Sequence, residues 1–220
     1  MSYSFKPWTR RTFIGAAATA AAGLYVPSSF AEELALTVKQ TEGPFYPDKL
    51  PLDTDNDLLI INHTITSAVG QVTHLTGRVL DKTGNPMRNV LVEIWQCDSK
   101  GIYIHSADAK RGGQDTNFQG YGKFLTDSTG RYYFRTIKPV AYGSRTPHIH
   151  FKLRKGNEEL LTTQMYVAHE AMNEKDGIYR SLGNAAAKKT LTVPFMPLAD
   201  SKINELTANF DIVLGVTAAG

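Results

Sequence analysis

Residues 74–98 read HLTGRVLDKTGNPMRNVLVEIWQCD, and the order of residue types points to a β-rich fold. The stretches at 74–81 and 89–98 are rich in Val, Leu, Ile and Trp, which fit a pleated, half-buried surface. Between them lies KTGNPM, whose Gly and Pro are typical of a turn. The sequence therefore predicts a strand, a turn and a second strand, which we interpret as a hairpin.

The same scheme recurs along the chain. Further predicted strands are KFLTD at 123–127, RYYFRTI at 131–137, PHIHFKLRK at 147–155, ELLTTQMYV at 159–167 and NFDIVL at 209–214. The turns DSTG and KGNE predict two more hairpins from the first four of these stretches. The polar segment 168–190 predicts a short helix. Short strands with Gly and Asn turns and little helical periodicity predict an all-β fold, a β-sandwich of short antiparallel strands.

The chain divides into three predicted segments. Residues 1–31 have a basic start, a short Ala/Gly-rich stretch and a small-residue cleavage pattern, which predict a signal peptide. The run TRRTFI at 9–14 is typical of twin-arginine export, with an ordinary Sec signal as the alternative. Residues 32–70 predict an irregular N-terminal arm, and residues 71–220 predict the β-sandwich domain, which would carry any catalysis.

The charge balance limits the classes of partner. The chain has 24 basic and 21 acidic residues, and residues 1–31 contain three basic residues and no acid. The remainder therefore has 24 − 3 = 21 basic residues against 21 acidic ones, which argues against general binding of nucleic acid. Cys97 is the single cysteine, so no intramolecular disulfide can form, and we expect it in the core. We expect no membrane anchor and a periplasmic or secreted protein that the twin-arginine machinery exports.

His148 and His150 are the first residues that suggest chemistry. In a strand they share one face with Lys152, opposite a face of apolar residues. Two imidazoles can bind one metal ion, but they are too few to define a site. A zinc or iron(II) site would need a further His, Cys or carboxylate. Tyr103 and Tyr142 offer hard phenolate oxygens that suit Fe(III); the plain alternative is that both tyrosines expose their hydroxyls in loops.

Six stretches, in the same order along the chain, carry a resemblance to a known family. They are TEGPFYP at 41–47, GRVLD at 77–81, VEIWQCDSKGIY at 92–103, LTDSTGRYYFRTIKP at 125–139, YGSRTPHIHFKL at 142–153 and TTQMYV at 162–167. The sequence resembles the intradiol ring-cleavage dioxygenases, non-haem iron enzymes, in a secreted form similar to protocatechuate and hydroxyquinol dioxygenases.

The resemblance implies a function and a metal site. It implies a catechol-type substrate and O2 as partners, and cleavage of the ring between its two hydroxyl-bearing carbons to give a cis,cis-muconate-type diacid. The family's Fe(III) ligands fall on Tyr103, Tyr142, His148 and His150. The resemblance also gives Tyr142 a catalytic role, as the acceptor of a substrate proton.

The resemblance further implies residues that contact the substrate. Arg145 would stabilise negative charge that develops during the reaction, Gln164 would lie beside the metal ligands, and Thr41 and Tyr46 would form a pocket wall. One register of the 147–155 and 159–167 strands puts Gln164 opposite His150, and a slip of one residue turns it away.

Three questions stay open at this point. Only GSRTP separates Tyr142 from His148, which predicts an open pocket and leaves the choice of catechol undecided. The oligomeric state is undecided too, a homo-oligomer included. The alternative function is a metal-free transthyretin-like or carboxypeptidase-regulatory-like binding module, since the strand–turn–strand stretches fit that sandwich as well.

Overall fold

The structure is a computed structural model, and it describes residues 34–62 and 66–217. The predicted signal peptide lies outside the described residues. The strands are β1 (Val72–Leu80), β2 (Leu91–Trp95), β3 (Tyr121–Leu125), β4 (Arg131–Ile137), β5 (His148–Lys155), β6 (Glu158–Val167), β7 (Thr192–Val193), β8 (Met196–Pro197), β9 (Leu206–Asn209) and β10 (Ile212–Val213). The helices are α1 (Ser106–Ala109), α2 (Gly177–Arg180) and α3 (Ala185–Leu191), with a 3-10 turn at Asn173–Lys175.

The strands form two five-stranded sheets, which confirms the all-β sandwich. One sheet has the order β10-β1-β9-β8, with β4 also paired to β1; the other has the order β3-β2-β5-β6-β7. The sheets are mixed rather than purely antiparallel. The pairs β1–β9, β1–β10 and β6–β7 are parallel, because the chain returns to each sheet after long connections.

Two of the three predicted hairpins are wrong. β1 pairs with β4, and β2 pairs with β3, so the first two turns carry the chain from one sheet to the other. Turn residues end a strand, but they do not decide which sheet the next strand joins. The third hairpin, β5–β6, is confirmed, and its register places His150 opposite Gln164. The predicted strand 209–214 is instead divided between β9 and β10, on either side of Phe210.

The core lies between the two sheets. Leu75 of β1, Ile94 of β2, Phe151 of β5 and Met165 of β6 are all fully buried there. Full burial of one such side chain stabilises the fold by about 1.5–3 kcal/mol relative to exposure. The opposite face of β5, which carries His148, is buried as well.

The N-terminal arm follows the sheets closely. The Thr37 amide donates to the Val213 carbonyl at 3.0 Å, and the Gln40 amide donates to the Thr162 carbonyl at 2.9 Å. One bond joins the arm to β10 and the other joins it to β6, in different sheets, so this part of the arm has a fixed path. Among the described residues, none of the helices has the length and apolar character that a membrane crossing requires.

Candidate metal centre

Four side chains from separate parts of the fold bring nitrogen and oxygen atoms together. The Nε2 atoms of His148 and His150 are 3.1 Å apart. The Tyr103 hydroxyl lies 3.2 Å from His150 Nε2 and 3.3 Å from the Tyr142 hydroxyl, and both hydroxyls lie 3.5 Å from His148 Nε2. The structure thus collects the four predicted ligands into one cluster.

The loop after β2 fixes Tyr103. Its backbone amide donates to the Asp108 carboxylate at 2.8 Å, and Phe45 of the arm stacks on its ring at 4.9 Å. Gly101 has φ +76°, and a Cβ at this position would lie 2.9 Å from the Tyr142 Cβ. The glycine therefore allows the two tyrosine-bearing loops to approach each other.

A tight turn after β4 presents Tyr142. The Arg145 amide donates to the Tyr142 carbonyl at 2.8 Å, and the Tyr142 amide donates back to the Arg145 carbonyl at 3.2 Å. Gly143 occupies this turn with φ +52°. Tyr142 is half-buried, whereas Gly143 and Ser144 are exposed. Tyr142 therefore marks the side of the centre that is open to solvent.

Strand β5 presents the two histidines. His148 Nδ1 lies 2.6 Å from the Thr146 carbonyl, and because a carbonyl only accepts, the proton is on Nδ1. The Nε2 lone pair of His148 is therefore free to bind a metal. Trp95, opposite in β2, stacks on the His150 ring at 4.8 Å.

Burial sets the protonation of the four side chains. Desolvation, with the charge of Arg145 as a further cause, lowers the pKa of His148 to about 3. Burial, then the neighbouring His148, lowers the pKa of His150 well below its usual value, so both imidazoles are neutral near pH 7. Burial raises the pKa of Tyr103 and of Tyr142. The phenols would therefore ionise only when a strong cation binds beside them.

The cluster fits a metal ion with two imidazole and two phenolate ligands. Ligands about 2.0–2.1 Å from one ion, at angles of roughly 90–110°, are about 2.9–3.4 Å apart, close to the observed separations. Within the ranges that the structure describes, no group of three or more His, Cys, Asp or Glu side chains could hold a metal. The zinc and iron(II) alternatives therefore lack their further ligand, and the phenol oxygens favour a hard ferric ion.

Arg145 and Gln164 lie beside the cluster and contact each other. Arg145 Nη2 donates to the Gln164 side-chain carbonyl, and Gln164 Nε2 donates to the Thr41 backbone carbonyl at 2.9 Å. The Tyr166 hydroxyl donates to the same Gln164 oxygen at 3.2 Å. Thr41 is thus joined to this network through its backbone, and its side chain is exposed.

Tyr46 packs against the aromatic cluster that contains Trp95 and Tyr103, but its hydroxyl points to another partner. Its hydroxyl donates to Glu93 at 2.9 Å, its ring packs edge-on against Trp95, and Lys152 Nζ lies 4.0 Å from the ring centroid. Burial, then the Glu93 carboxylate, raises the pKa of Tyr46 to about 12. The structure thus shows Tyr46 in packing contacts, and its predicted contact with substrate stays a prediction. Cys97 is buried in the same aromatic cluster, as predicted.

Asp176 is a further residue of the site that the sequence did not predict: it is a fully buried carboxylate that contacts Arg145. Arg145 Nε donates to it at 2.9 Å. Burial opposes ionisation of Asp176, but hydrogen bonds from Thr146, Tyr179 and Arg145 outweigh burial and lower the pKa of the carboxyl. An Asp before Gly177 is typical of a helix N-cap, but the sequence contains no signal that links it to a residue 31 positions away.

Known proteins match this fold and these motifs. A family model described as "Dioxygenase" matches residues 41–216. The protocatechuate 3,4-dioxygenase beta chain of Burkholderia cepacia is 36% identical over 179 residues, which cover 74% of this chain and 76% of that protein. The catechol 1,2-dioxygenase of Candida albicans is 28% identical, and the match covers 78% of this chain but 58% of that enzyme.

A solved structure is similar as well. The dioxygenase domain of a dioxygenase and carbohydrate-binding protein fusion from Streptomyces sp. SirexAA-E has a TM-score of 0.62 and 27% sequence identity, over 84% of this chain and 99% of that one. These similarities do not favour the metal-free binding module. Together with the fold and the donor cluster, they show that the chain belongs to the intradiol ring-cleavage dioxygenases, which open catechol-type rings between the two hydroxyl-bearing carbons.

Proposed function

We propose that this chain is an exported, iron-dependent dioxygenase in which Tyr103, Tyr142, His148 and His150 hold Fe(III). The convergence of two neutral imidazoles and two phenol oxygens on one point carries the proposal. Ferric iron, when bound, would supply Lewis-acid activation of a chelating catechol.

Tyr142 is the proton acceptor in this proposal. Tyr142 is more exposed than Tyr103, and it lies in a short turn. A catechol entering from solvent would meet this side chain first, and if bound iron keeps Tyr142 ionised, one substrate hydroxyl could pass its proton to the Tyr142 phenolate oxygen. Tyr103 is almost completely buried and keeps its position, so the two tyrosines have different tasks.

Arg145 is the proposed electrostatic residue. Its side chain is 15% exposed, and it lies in the turn that joins Tyr142 to β5. A guanidinium fixed beside the reacting ring stabilises negative charge without reorganising during the reaction. Gln164 orients this guanidinium by accepting a hydrogen bond from it.

The catechol that binds is a matter for experiment. The relatives named above act on protocatechuate and on catechol, and a further relative is a hydroxyquinol 1,2-dioxygenase. The exposed Gly143 and Ser144 beside Tyr142 leave room for a substituted ring. We therefore propose that the substrate is one of these catechols or a related one. The compounds to test are protocatechuate, hydroxyquinol and lignin-derived or other plant-derived catechols.

Colour and oxygen uptake test the proposal together. Ferric iron bound by tyrosinate gives a red to burgundy protein, and one equivalent of iron per chain should accompany one O2 consumed per catechol cleaved. Tyr133→Phe is a matched control. The Tyr133 hydroxyl contacts His74, and both residues lie in the sheet that does not carry His148 and His150. A protein that stays colourless after ferric iron is added, or that consumes no oxygen with any catechol of the panel, would contradict the proposal.

We also propose export by the twin-arginine route, supported by TRRTFI at 9–14. The test is cell fractionation of the full chain beside a variant with Arg10→Lys and Arg11→Lys. The proposal expects the variant to accumulate as a cytoplasmic precursor. Unchanged export of the variant would support the Sec alternative instead.

A further inference from the structure

The two oxygens of the Asp176 carboxylate serve two different parts of the fold. Oδ1 accepts the amides of Ile178 and Tyr179 at 2.8 and 3.0 Å, and these bonds cap α2. Oδ2 accepts Arg145 Nε and the Thr146 amide, both at 2.9 Å. One buried side chain thus joins a distant helix to the turn that carries Arg145.

The guanidinium of Arg145 is consequently held from two sides. Asp176 binds Nε, while Gln164 accepts from Nη2. An arginine side chain that is not held samples many rotamers, and these two contacts restrict Arg145 to one orientation. The ion pair with a fully buried carboxylate fixes this orientation before substrate binds.

We propose that Asp176 is a positioning residue for the dioxygenase reaction and that it acts by aiming the Arg145 guanidinium at the bound catechol. The inference rests on the proposed function. Asp176 contacts none of the four ligand atoms in the described hydrogen bonds, so it acts on the reaction through Arg145. The competing explanation is that Asp176 only caps α2.

Asp176→Asn separates the two explanations. Asparagine is as good an N-cap as aspartate, so its oxygen can retain the bonds to Ile178 and Tyr179. Its amide group replaces the other oxygen and cannot accept from Arg145 or Thr146. Positioning predicts an unchanged iron content and visible band, a KM within about threefold of wild type, and a kcat about 100-fold lower, the scale expected for a catalytic group misplaced by about 1 Å.

A double-variant cycle shows whether the effect passes through Arg145. If it does, Asp176→Asn added to Arg145→Gln should lower kcat by less than about threefold beyond Arg145→Gln alone. Asp81→Asn is the matched control, because Asp81 is also buried and accepts the amides of Thr83 and Asn85 in the loop after β1. The control should keep kcat within about twofold of wild type.

The outcomes distinguish this inference from the proposed function. A wild type that binds no ferric iron and consumes no oxygen overturns both. An active wild type with a normal kcat in Asp176→Asn, or independent effects of the two substitutions, overturns the positioning role alone. If Asp176→Asn does not fold, Asp176→Ser supplies the same test, because serine retains one capping oxygen and is too short to reach Arg145.

Discussion

Tyr103 and Tyr142 offer the same chemical group to the cluster, but their surroundings differ. Tyr103 is held by the Asp108 carboxylate at its amide and by Phe45 on its ring. Tyr142 is half-buried in a turn whose neighbours are exposed. A side chain that exchanges with substrate needs the second environment, and a permanent ligand needs the first.

Tyr142→Phe should therefore keep its iron and lose the exchangeable phenolate. We expect iron content close to wild type, because Tyr103 and the two histidines remain, and a shifted visible band. Substrate binding should be slower, since the proton acceptor is lost. Stopped-flow absorbance with a catechol measures this step. Unchanged absorption and binding rate would contradict the assignment, and Tyr133→Phe is the control.

His148→Ala should lower the iron content itself. The neutral Nε2 of His148 lies within 3.5 Å of the other three ligand atoms, and removing a metal ligand leaves a coordination position open. We expect iron affinity to fall at least about tenfold, and even substitutions beside metal ligands typically cost 10–100-fold. The measurement is iron per chain after dialysis, with His74→Ala as the control. Full iron content together with normal turnover would contradict the ligand role.

Some residues of the site could be predicted from the sequence pattern, others only from the resemblance, and one not at all. The alternation of β5 alone places His148 and His150 on one face. Tyr103 and Tyr142 were candidate donors from their chemistry, and only the resemblance favoured them over ordinary loop tyrosines. Asp176 was not found, because its contact with Arg145 depends on how the segment after β6 folds back over the turn.

At the scale of the elements, Gly77 allows β1 to pack closely against the Tyr132 side chain and the Phe210 backbone. It lies opposite Tyr132 of β4, whose hydroxyl passes it to donate to the Phe210 carbonyl. A Cβ at Gly77 would lie 2.1 Å from the Phe210 oxygen and 2.6 Å from the Tyr132 hydroxyl. Backbone and a buried ring leave little room to relax, so overpacking should be costly here.

Gly77→Ala should lower the free energy of unfolding by about 1–3 kcal/mol, the usual range for overpacking. Urea unfolding should show a lower midpoint with an unchanged slope. Gly177→Ala is the control, because a Cβ there meets no atom within 4 Å and its φ is not positive. Equal midpoints for wild type and Gly77→Ala would show that the strands separate more easily than the structure indicates.

The strands themselves were largely predictable, but their partners were not. Alternation and β-branched residues located β1 to β6 within a few residues. After a turn, the next strand either pairs with the previous strand or joins the other sheet. Which of the two occurs depends on where its apolar face can pack against the core, and that is decided by the whole sandwich. At Gly156 the turn joins β5 and β6, which are antiparallel neighbours in one sheet, and it therefore forms a hairpin.

At the scale of the whole molecule, the proposed centre joins segments that are far apart in sequence. Tyr103 comes from the loop after β2, Tyr142 from the turn after β4, and the histidines from β5. A ferric ion that binds all three segments binds the folded chain and not the unfolded one. Such a ligand stabilises the fold by RT ln(1 + [L]/Kd), about 2.7 kcal/mol when its free concentration is 100 times Kd.

Removal of iron with a reductant and a chelator should therefore lower the thermal midpoint by roughly 5–10 °C, since 1 kcal/mol corresponds to about 2–4 °C for a domain of this size. Adding ferric iron back should restore both the midpoint and the colour. His148→Ala distinguishes binding at this centre from binding elsewhere, because iron should raise its midpoint much less. An equal rise in wild type and in His148→Ala would mean that iron stabilises the chain at another place. An unchanged wild-type midpoint would mean that iron does not bind the folded chain in preference to the unfolded one, and it would contradict the proposed centre.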